Sequence, residues 1–144
     1  MLMLHGTCVE LGGAGVLLRG KSGSGKSDLA LRLIDGGARL VADDQTIVEL
    51  RGEILAASPP ETIRGLLEVR GIGILRLPHA SNIPLALVVD LVPPDSVERM
   101  PEPMRCDILG QSLPLIALPA FESSSSAKIR LALQSVLVPD MVKT

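Results

Sequence analysis

The chain has 144 residues, enough for one domain with a substantial buried core. Its 14 basic and 16 acidic residues leave a net charge of −2, which gives no reason to expect nucleic-acid binding through a basic face. Apolar runs such as 113–121 are broken by proline and fall far below the ~20 residues that a membrane span needs. The N-terminus lacks the basic start and long apolar region of a signal peptide. We therefore expect neither a nucleic acid nor a membrane as a partner.

The cysteine and aromatic content restricts the chemistry further. Cys8 and Cys106 form neither a CxxC pair nor a metal cluster, and two cysteines in a chain of this length favour a reducing, cytoplasmic environment. Phe121 stands alone, with no tyrosine or tryptophan in the chain. The core must therefore be aliphatic, and we expect a bound nucleotide base to find little aromatic stacking.

The predicted elements combine hairpins with one strand–loop–helix unit. Residues 2–10 and 15–19 predict a strand pair across a glycine-rich turn, and a helix over 28–34 is expected to end at Gly36 and Gly37. Further strands are expected, in chain order, at 38–42, 46–50, 53–57, 67–70, 84–92, 104–109 and 113–118, with a helical turn at 61–66. The strand at 67–70 runs into the glycine-spaced residues 71–75.

The C-terminal part predicts a further helix. Ile129, Leu133 and Val136 recur at helical spacing after the serine run 123–126, whose last serine is positioned to cap that helix. We expect the residues after Pro139 to be frayed. Hairpins together with one strand–loop–helix unit predict an α/β core with a mixed rather than a purely parallel sheet.

The strongest motif is a phosphate-binding P-loop, in which Gly, four residues and Gly-Lys-Ser follow one another. Its glycines leave backbone N–H groups bare for phosphate, and the following helix directs its positive N-terminus at the same charge. Its lysine can reach the outer phosphates, and its serine hydroxyl can ligate Mg²⁺. The motif residues are Gly20, Lys21, Ser22, Gly23, Ser24, Gly25, Lys26 and Ser27. The alternative is a glycine-rich turn with a chance lysine, but the apolar strand before it and the helix after it favour the P-loop.

Phosphoryl transfer also needs a carboxylate near the metal and a group that deprotonates the nucleophile. Asp43 and Asp44 end a short apolar strand soon after the P-loop helix, where a metal-side carboxylate is expected. Because neighbouring side chains on an extended chain point in different directions, one carboxylate can face the metal and the other the acceptor. The alternative is a solvated acidic turn.

Three further residues are candidates on weaker grounds. Glu68 is a second metal candidate, or a surface glutamate on a half-buried strand. His5 is a candidate catalytic histidine, although a lone histidine is more often exposed or structural. Arg99, in a loop, can stabilise charge on a transferring phosphoryl group, but nothing local to it favours that role over a solvated side chain.

These motifs together resemble the catalytic domain of the HPr kinase/phosphorylase family over roughly residues 5–118. The matching stretches, in order and near spacing, are His5-Gly6, the P-loop at 20–27, Ala42-Asp43-Asp44 and residues 67–74. The last stretch, Leu-Glu-Val-Arg-Gly-Ile-Gly-Ile, is similar to the family signature Leu-Glu-(Ile/Val)-Arg-Gly-(Leu/Ile)-Gly-Ile and is the most specific of the four.

The resemblance implies an enzyme that uses ATP and Mg²⁺ to phosphorylate a serine of the phosphocarrier protein HPr and so regulates a phosphotransferase system. Many members of the family also remove that phosphate by phosphorolysis with inorganic phosphate. The family fold resembles phosphoenolpyruvate carboxykinase, and its members are commonly hexamers. The expected fold class is therefore an α/β, P-loop nucleotide-binding core with a mixed sheet.

The resemblance also implies roles for individual residues. Lys26 contacts the phosphates, Ser27 binds Mg²⁺, and Asp44 is the general base toward the serine hydroxyl and the acid in the reverse reaction. The other implied site residues are Asp43 beside that base, Glu68 as a metal-side carboxylate, and His5 and Arg99 as active-site residues.

Two departures from the family pattern qualify the resemblance. The common form carries an N-terminal domain, whereas residues 1–144 are expected to form a single P-loop kinase catalytic domain similar to the short alphaproteobacterial form. The family's Pro-Val-(Arg/Lys)-x-Gly-Arg segment, tied to the phosphorylase activity, is replaced at 118–122 by Leu-Pro-Ala-Phe-Glu. The kinase activity is thus better supported than the phosphorylase activity.

Two alternative functions stay open at this point. One is a nucleotide switch, since residues 107–110 match Asp-x-x-Gly, although no Asn-Lys-x-Asp or Thr-Lys-x-Asp guanine-binding motif occurs. The other is a small-molecule kinase or carboxykinase-like enzyme. Neither alternative explains the stretch at 67–74.

Overall fold

A computed structural model of the chain describes residues 1–138, so the fraying expected after Pro139 lies outside the described residues. The strands, in chain order, are β1 (Leu2–His5), β2 (Thr7–Leu11), β3 (Ala14–Arg19), β4 (Arg39–Ala42), β5 (Gln45–Arg51), β6 (Ile54–Ser58), β7 (Leu66–Val69), β8 (Gly73–Arg76), β9 (Ile83–Leu91), β10 (Met104–Ile108) and β11 (Gln111–Leu118). The helices are α1 (Lys26–Asp35) and α2 (Ser125–Leu137), with 3-10 turns at Glu61–Ile63 and Pro94–Ser96. Neither α-helix in this part of the chain is long and apolar enough to cross a membrane.

Nine strands form one mixed sheet, which confirms the expected fold class. Its main path runs β1-β5-β6-β9-β3-β2-β4, with β11 also paired to β9 and β10 paired to β11. The central strand, β9, is parallel to β3 and to β11 and antiparallel to β6. Its residues Leu87, Val88 and Val89 are fully buried, as expected for a strand covered on both faces.

The two faces of the sheet carry separate apolar clusters. Val16 and Leu18 of β3 pack in one cluster with Leu29 of α1 and Ile129 of α2. Leu17, between them in the sequence, points to the other face and joins the second cluster. This alternation follows from the period of two in a strand, and it places both helices on the same face. The P-loop therefore lies at the end of a β3 strand that is fixed from both sides.

The N-terminal segment differs from the single strand expected over residues 2–10. It is broken at Gly6 into β1, which pairs with β5, and β2, which pairs with β3 and β4. A Cβ on Gly6 would lie 2.9 Å from the carbonyl oxygen of Leu18, so only glycine fits at the break. The break transfers His5 to the strand pair formed by β1 and β5, opposite Gln45.

The strand expected at 67–70 is confirmed as β7, and the glycine-spaced residues after it lead into β8, which pairs with β7 in an antiparallel hairpin that turns at Gly71 with φ of 92°. The expected cap of α2 was wrong. The last serine of the run does not cap α2, because the helix begins at Ser125. The Ser125 hydroxyl instead donates a hydrogen bond to the carbonyl oxygen of Pro119, which ties the helix start to the end of β11.

Candidate active site

The P-loop is curled around the side chain of its own lysine. Lys26 is 6% exposed, and its Nζ donates hydrogen bonds to the carbonyl oxygens of Gly20 at 2.8 Å and Lys21 at 3.0 Å. Gly25 supplies the turn into α1 with φ of 101°, a conformation that favours glycine. A Cβ on Gly20 would collide with the Ser24 hydroxyl, so the packing of the loop requires glycine here too.

The loop fits a phosphate ligand on two independent observations. The Ser24 hydroxyl is buried and finds no hydrogen-bond partner among residues 1–138. A side chain at Gly23 would meet nothing within 4 Å, which means that open space lies over this part of the loop. Phosphate oxygens accept hydrogen bonds from bare backbone N–H groups and are attracted to the N-terminus of α1, which begins here. The residues present therefore suit a nucleotide's phosphates.

The base of the loop is anchored by an ion pair between neighbouring strand ends. Arg19 of β3 donates two hydrogen bonds to Asp90 of β9, from Nε to Oδ1 at 2.7 Å and from Nη2 to Oδ2 at 3.1 Å. The hydrogen bond to Asp90 is the main cause of the raised pKa of Arg19. Since Arg19 directly precedes the P-loop, this bidentate ion pair fixes the point at which the loop leaves the sheet.

Asp43 is held beside the last residue of the P-loop. The Ser27 hydroxyl donates to Asp43 Oδ1 at 2.7 Å, and the Thr7 hydroxyl donates to the same oxygen at 3.1 Å. The backbone N–H of Glu68 donates to Asp43 Oδ2 at 3.3 Å. The carboxylate is thus half-buried and fixed from three elements, with the exposed side chain of Glu68 next to it.

Asp44 points toward a different set of partners. His5 Nε2 lies 2.9 Å from Asp44 Oδ1, and Lys26 Nζ lies 3.9 Å from the same oxygen. The backbone of Asp44 has φ of 66°, in the left-handed region that residues other than glycine seldom adopt. Its N–H donates to the Thr7 hydroxyl at 3.0 Å. Asp44 Oδ2 makes no hydrogen bond within residues 1–138, and the Asp44 side chain as a whole is 59% exposed.

Thr7 is the residue that sequence reasoning missed. Its side chain is fully buried and joins the two aspartates, since it donates to Asp43 and accepts from the Asp44 N–H. In the sequence, Thr7 is marked only by its position two residues after the candidate His5. A single strand over residues 2–10 gives no reason to place Thr7 beside the two aspartates, and the break at Gly6 was not expected.

The described residues around the P-loop enclose a cavity of about 350 Å³. Lys26, Ser27, Asp43, Asp44 and Glu68 all line it. His5 joins them through its contact with Asp44. The structure thus brings together these candidates, which lie far apart in the sequence.

Arg99 does not lie with the other candidates. It lines a separate cavity of about 690 Å³, between the loop at 96–103, β11 and α2. Nothing within residues 1–138 connects its guanidinium to the P-loop cavity, so its proposed role in the reaction stays a prediction.

The donor set at the P-loop also suits Mg²⁺ bound together with a nucleotide. Ser27 Oγ and the carboxylates of Asp43 and Glu68 are hard oxygen donors, which this ion prefers. No cluster of three or more His, Cys, Asp or Glu side chains that could hold a metal occurs in the described part of the chain. Mg²⁺ at phosphate sites does not need such a cage, because one or two carboxylates, waters and substrate phosphates complete its shell.

Comparisons with known proteins identify the family of this chain. Residues 1–133 match the family model described as HPr Serine kinase C-terminal domain. The HPr kinase/phosphorylase of Geobacillus thermodenitrificans is 41% identical over 133 residues, which covers 81% of this chain and 41% of the relative. That of Chloroherpeton thalassium is 36% identical over 129 residues, with 81% and 38% covered. The chain therefore spans about two fifths of the length of these curated relatives.

A solved structure shares the fold. The Hpr(Ser) kinase/phosphatase from Coxiella burnetii superposes with a TM-score of 0.84 at 25% sequence identity. The match covers 97% of this chain and 95% of that chain, so the mixed sheet and both helices correspond to an arrangement already observed.

Proposed function

Because this chain belongs to the HPr serine kinase C-terminal domain family, we propose that it transfers a phosphoryl group from ATP to a serine hydroxyl of an HPr-type phosphocarrier protein. The observation that carries this proposal is the placement of Asp44. Its Oδ1 lies 3.9 Å from Nζ of the P-loop lysine, and its side chain is 59% exposed. A base beside the phosphate loop and accessible from outside suits an acceptor that is a side chain of another protein.

The residues divide between holding the donor and activating the acceptor. Lys26 Nζ exchanges its contacts with the carbonyl oxygens of Gly20 and Lys21 for contacts with the outer phosphates. The serine of the partner approaches Asp44, whose free Oδ2 accepts the hydroxyl proton as the oxygen attacks phosphorus. His5 binds Asp44 Oδ1 and so leaves Asp44 Oδ2 for the acceptor hydroxyl.

The proposed metal site is formed by Ser27, Asp43 and Glu68. Mg²⁺ bound there with ATP neutralises charge on the phosphate oxygens. Thr7 keeps Asp43 in position, since its hydroxyl and that of Ser27 contact the same carboxylate oxygen. The two aspartates then have separate tasks: Asp43 faces the metal side, and Asp44 faces the acceptor.

The same geometry allows the reverse proton movement. In phosphorolysis, inorganic phosphate attacks the phosphoserine, and a protonated Asp44 Oδ2 returns its proton to the serine oxygen as it leaves. Both curated relatives bear the name kinase/phosphorylase. This chain has alanine and phenylalanine at 120–121 where the family segment tied to that activity is expected, so we propose the kinase as the principal activity.

The test is incubation of the purified chain with the same organism's HPr and Mg-ATP, followed by mass spectrometry of HPr. A phosphoserine that forms with the wild type and not with Lys26→Ala supports the proposal. If HPr stays unmodified while the chain binds ATP, the nucleotide-switch function replaces it. Transfer to a small molecule instead of HPr supports a small-molecule kinase. Excess inorganic phosphate added to the product then shows whether pyrophosphate is released.

A further inference from the structure

Phe121 occupies an unexpected position for a large apolar side chain. It is 71% exposed, although it is the single residue of its kind in a chain without tyrosine or tryptophan. It lines the cavity that contains Lys26 and Ser27, rather than packing in either apolar cluster of the sheet. An exposed aromatic ring at the rim of a ligand cavity is available to contact a ligand.

The backbone on either side of Phe121 is fixed from two helices. Arg32 of α1 donates hydrogen bonds to the carbonyl oxygen of Ala120 and, at 3.0 Å, to that of Glu122. The fully buried Ser125 of α2 donates to the carbonyl oxygen of Pro119. Because the carbonyl groups before and after Phe121 are both bound to one guanidinium, the ring projects from a clamped segment rather than from a free loop.

The ring lies directly against the phosphate loop. A Cβ built on Gly25 would come within 2.8 Å of Phe121 Cζ and 2.7 Å of Ala120 Cβ. Glycine at this position therefore makes room for the segment as well as for the turn into α1. Leu31, five residues after Lys26 and thus about 7.5 Å further along the helix, also lines the cavity, as does Val69 of β7. The cavity thus has apolar side chains beside its charged end.

We propose that Phe121 is the contact for the nucleobase, on which the adenine ring of ATP stacks when its phosphates occupy the P-loop. This inference rests on the proposed function, since it requires ATP in the loop. A charged phosphate gains nothing from contact with an apolar ring, whereas every base has a π-face that stacks on an aromatic side chain. The composition alone suggested little stacking, but the fold places the chain's one aromatic residue beside the loop.

The test compares two ligands that share their phosphates and differ in the base. Binding of Mg-ATP and of Mg-tripolyphosphate is measured by calorimetry with the wild type and with Phe121→Ala. We expect Phe121→Ala to weaken ATP binding roughly 5- to 150-fold, the range for loss of one base–aromatic stack, and to leave tripolyphosphate binding unchanged. Leu131→Ala is the control, because Leu131 is 55% exposed but lines the other cavity.

A second variant reports stacking directly. Since the chain has no tryptophan, Phe121→Trp introduces a single fluorophore at the site. We expect ATP to quench its emission, tripolyphosphate to leave the emission unchanged, and ATP affinity to stay at or above the wild-type value.

Three results would overturn the inference in different ways. An equal loss of affinity for both ligands would mean that Phe121 supports the phosphate loop and not the base. Unchanged ATP affinity together with a raised KM for HPr would make it a contact for the partner protein. Failure of the wild type to bind ATP, with tripolyphosphate still bound, would remove the proposed kinase function, whereas the first two results leave that function standing.

Discussion

Thr7→Val tests whether the two aspartates are held by one buried hydroxyl. Valine has nearly the shape of threonine and suits a strand, so the substitution removes the hydroxyl of β2 with little change in packing. In the wild type this hydroxyl donates to Asp43 Oδ1 at 3.1 Å and accepts from the Asp44 N–H at 3.0 Å. The variant leaves that N–H without its partner in a region where the Thr7 side chain is fully buried.

The size of the effect follows from these two bonds. A neutral hydrogen bond contributes about 1 kcal/mol to stability and one to a charged group about 1.5–3 kcal/mol. The two contributions add up to about 2.5–4 kcal/mol, and because Asp43 keeps its bond from Ser27 we expect a loss in the lower part of this range, roughly 2.5–3 kcal/mol. With an m-value of about 2 kcal/mol/M in urea, the unfolding midpoint should fall by roughly 1.2–1.5 M.

The assay is urea unfolding of wild type, Thr7→Val and Thr7→Ser. Serine keeps the hydroxyl and loses one methyl group, so it should lose only about 1 kcal/mol. Transfer to HPr should fall mainly in kcat for Thr7→Val and remain near wild type for Thr7→Ser, because the hydroxyl binds the Asp43 carboxylate and the backbone N–H of Asp44. If Thr7→Val is as stable as the wild type, or if Thr7→Ser is the weaker of the two, the bridging role is wrong.

Three further predictions concern Gly25 and the cysteines. Gly25→Ala should weaken ATP binding more than Gly23→Ala when both are measured by calorimetry. Both glycines have positive φ, but only a Cβ at position 25 would lie 2.7 Å from another side chain. Equal losses of affinity would show that this close contact does not matter for binding. In the folded protein a thiol reagent should label the half-buried Cys106 and leave the buried Cys8 unmodified until urea is added, as counted by mass spectrometry. Burial raises the pKa of the Cys8 thiol from 9.0 to about 12, so between these values the unfolded chain loses a proton that the native chain keeps. Above pH 9.0 the free energy of unfolding of the wild type should therefore fall with rising pH, and its slope should be steeper than that of Cys8→Ala by about 1.4 kcal/mol per pH unit. Equal slopes for the two proteins would refute this prediction.

The parts of the site that were predictable are those fixed by local sequence. The P-loop needs its glycines and lysine within eight residues, and the helix that follows ends at Gly36 and Gly37 as expected. The mixed sheet was also predictable, because short strand pairs and one strand–loop–helix unit cannot build a purely parallel sheet.

Other features depend on contacts between distant residues and could not be predicted. Glycine is required at the break because the carbonyl oxygen of Leu18 on the neighbouring strand leaves no room for a Cβ, a contact that a single-strand pattern does not reveal. Thr7 meets Asp43 and Asp44 across 36 and 37 positions of sequence. The position of Phe121 depends on Arg32, whose contacts with the flanking carbonyl groups span 88 and 90 positions.

The most direct test of the central claim is to measure ATP affinity and the rate of transfer to HPr on the same preparation of Asp44→Asn. The side chain is 59% exposed, so an unchanged thermal midpoint is expected and serves as the folding control. The account predicts unchanged ATP affinity, with transfer lower by roughly 10²- to 10⁴-fold, because the base is lost and the phosphate cradle is not. Asp43→Asn should instead weaken Mg-ATP binding. Full transfer activity in Asp44→Asn would contradict the assignment of Asp44 as the base.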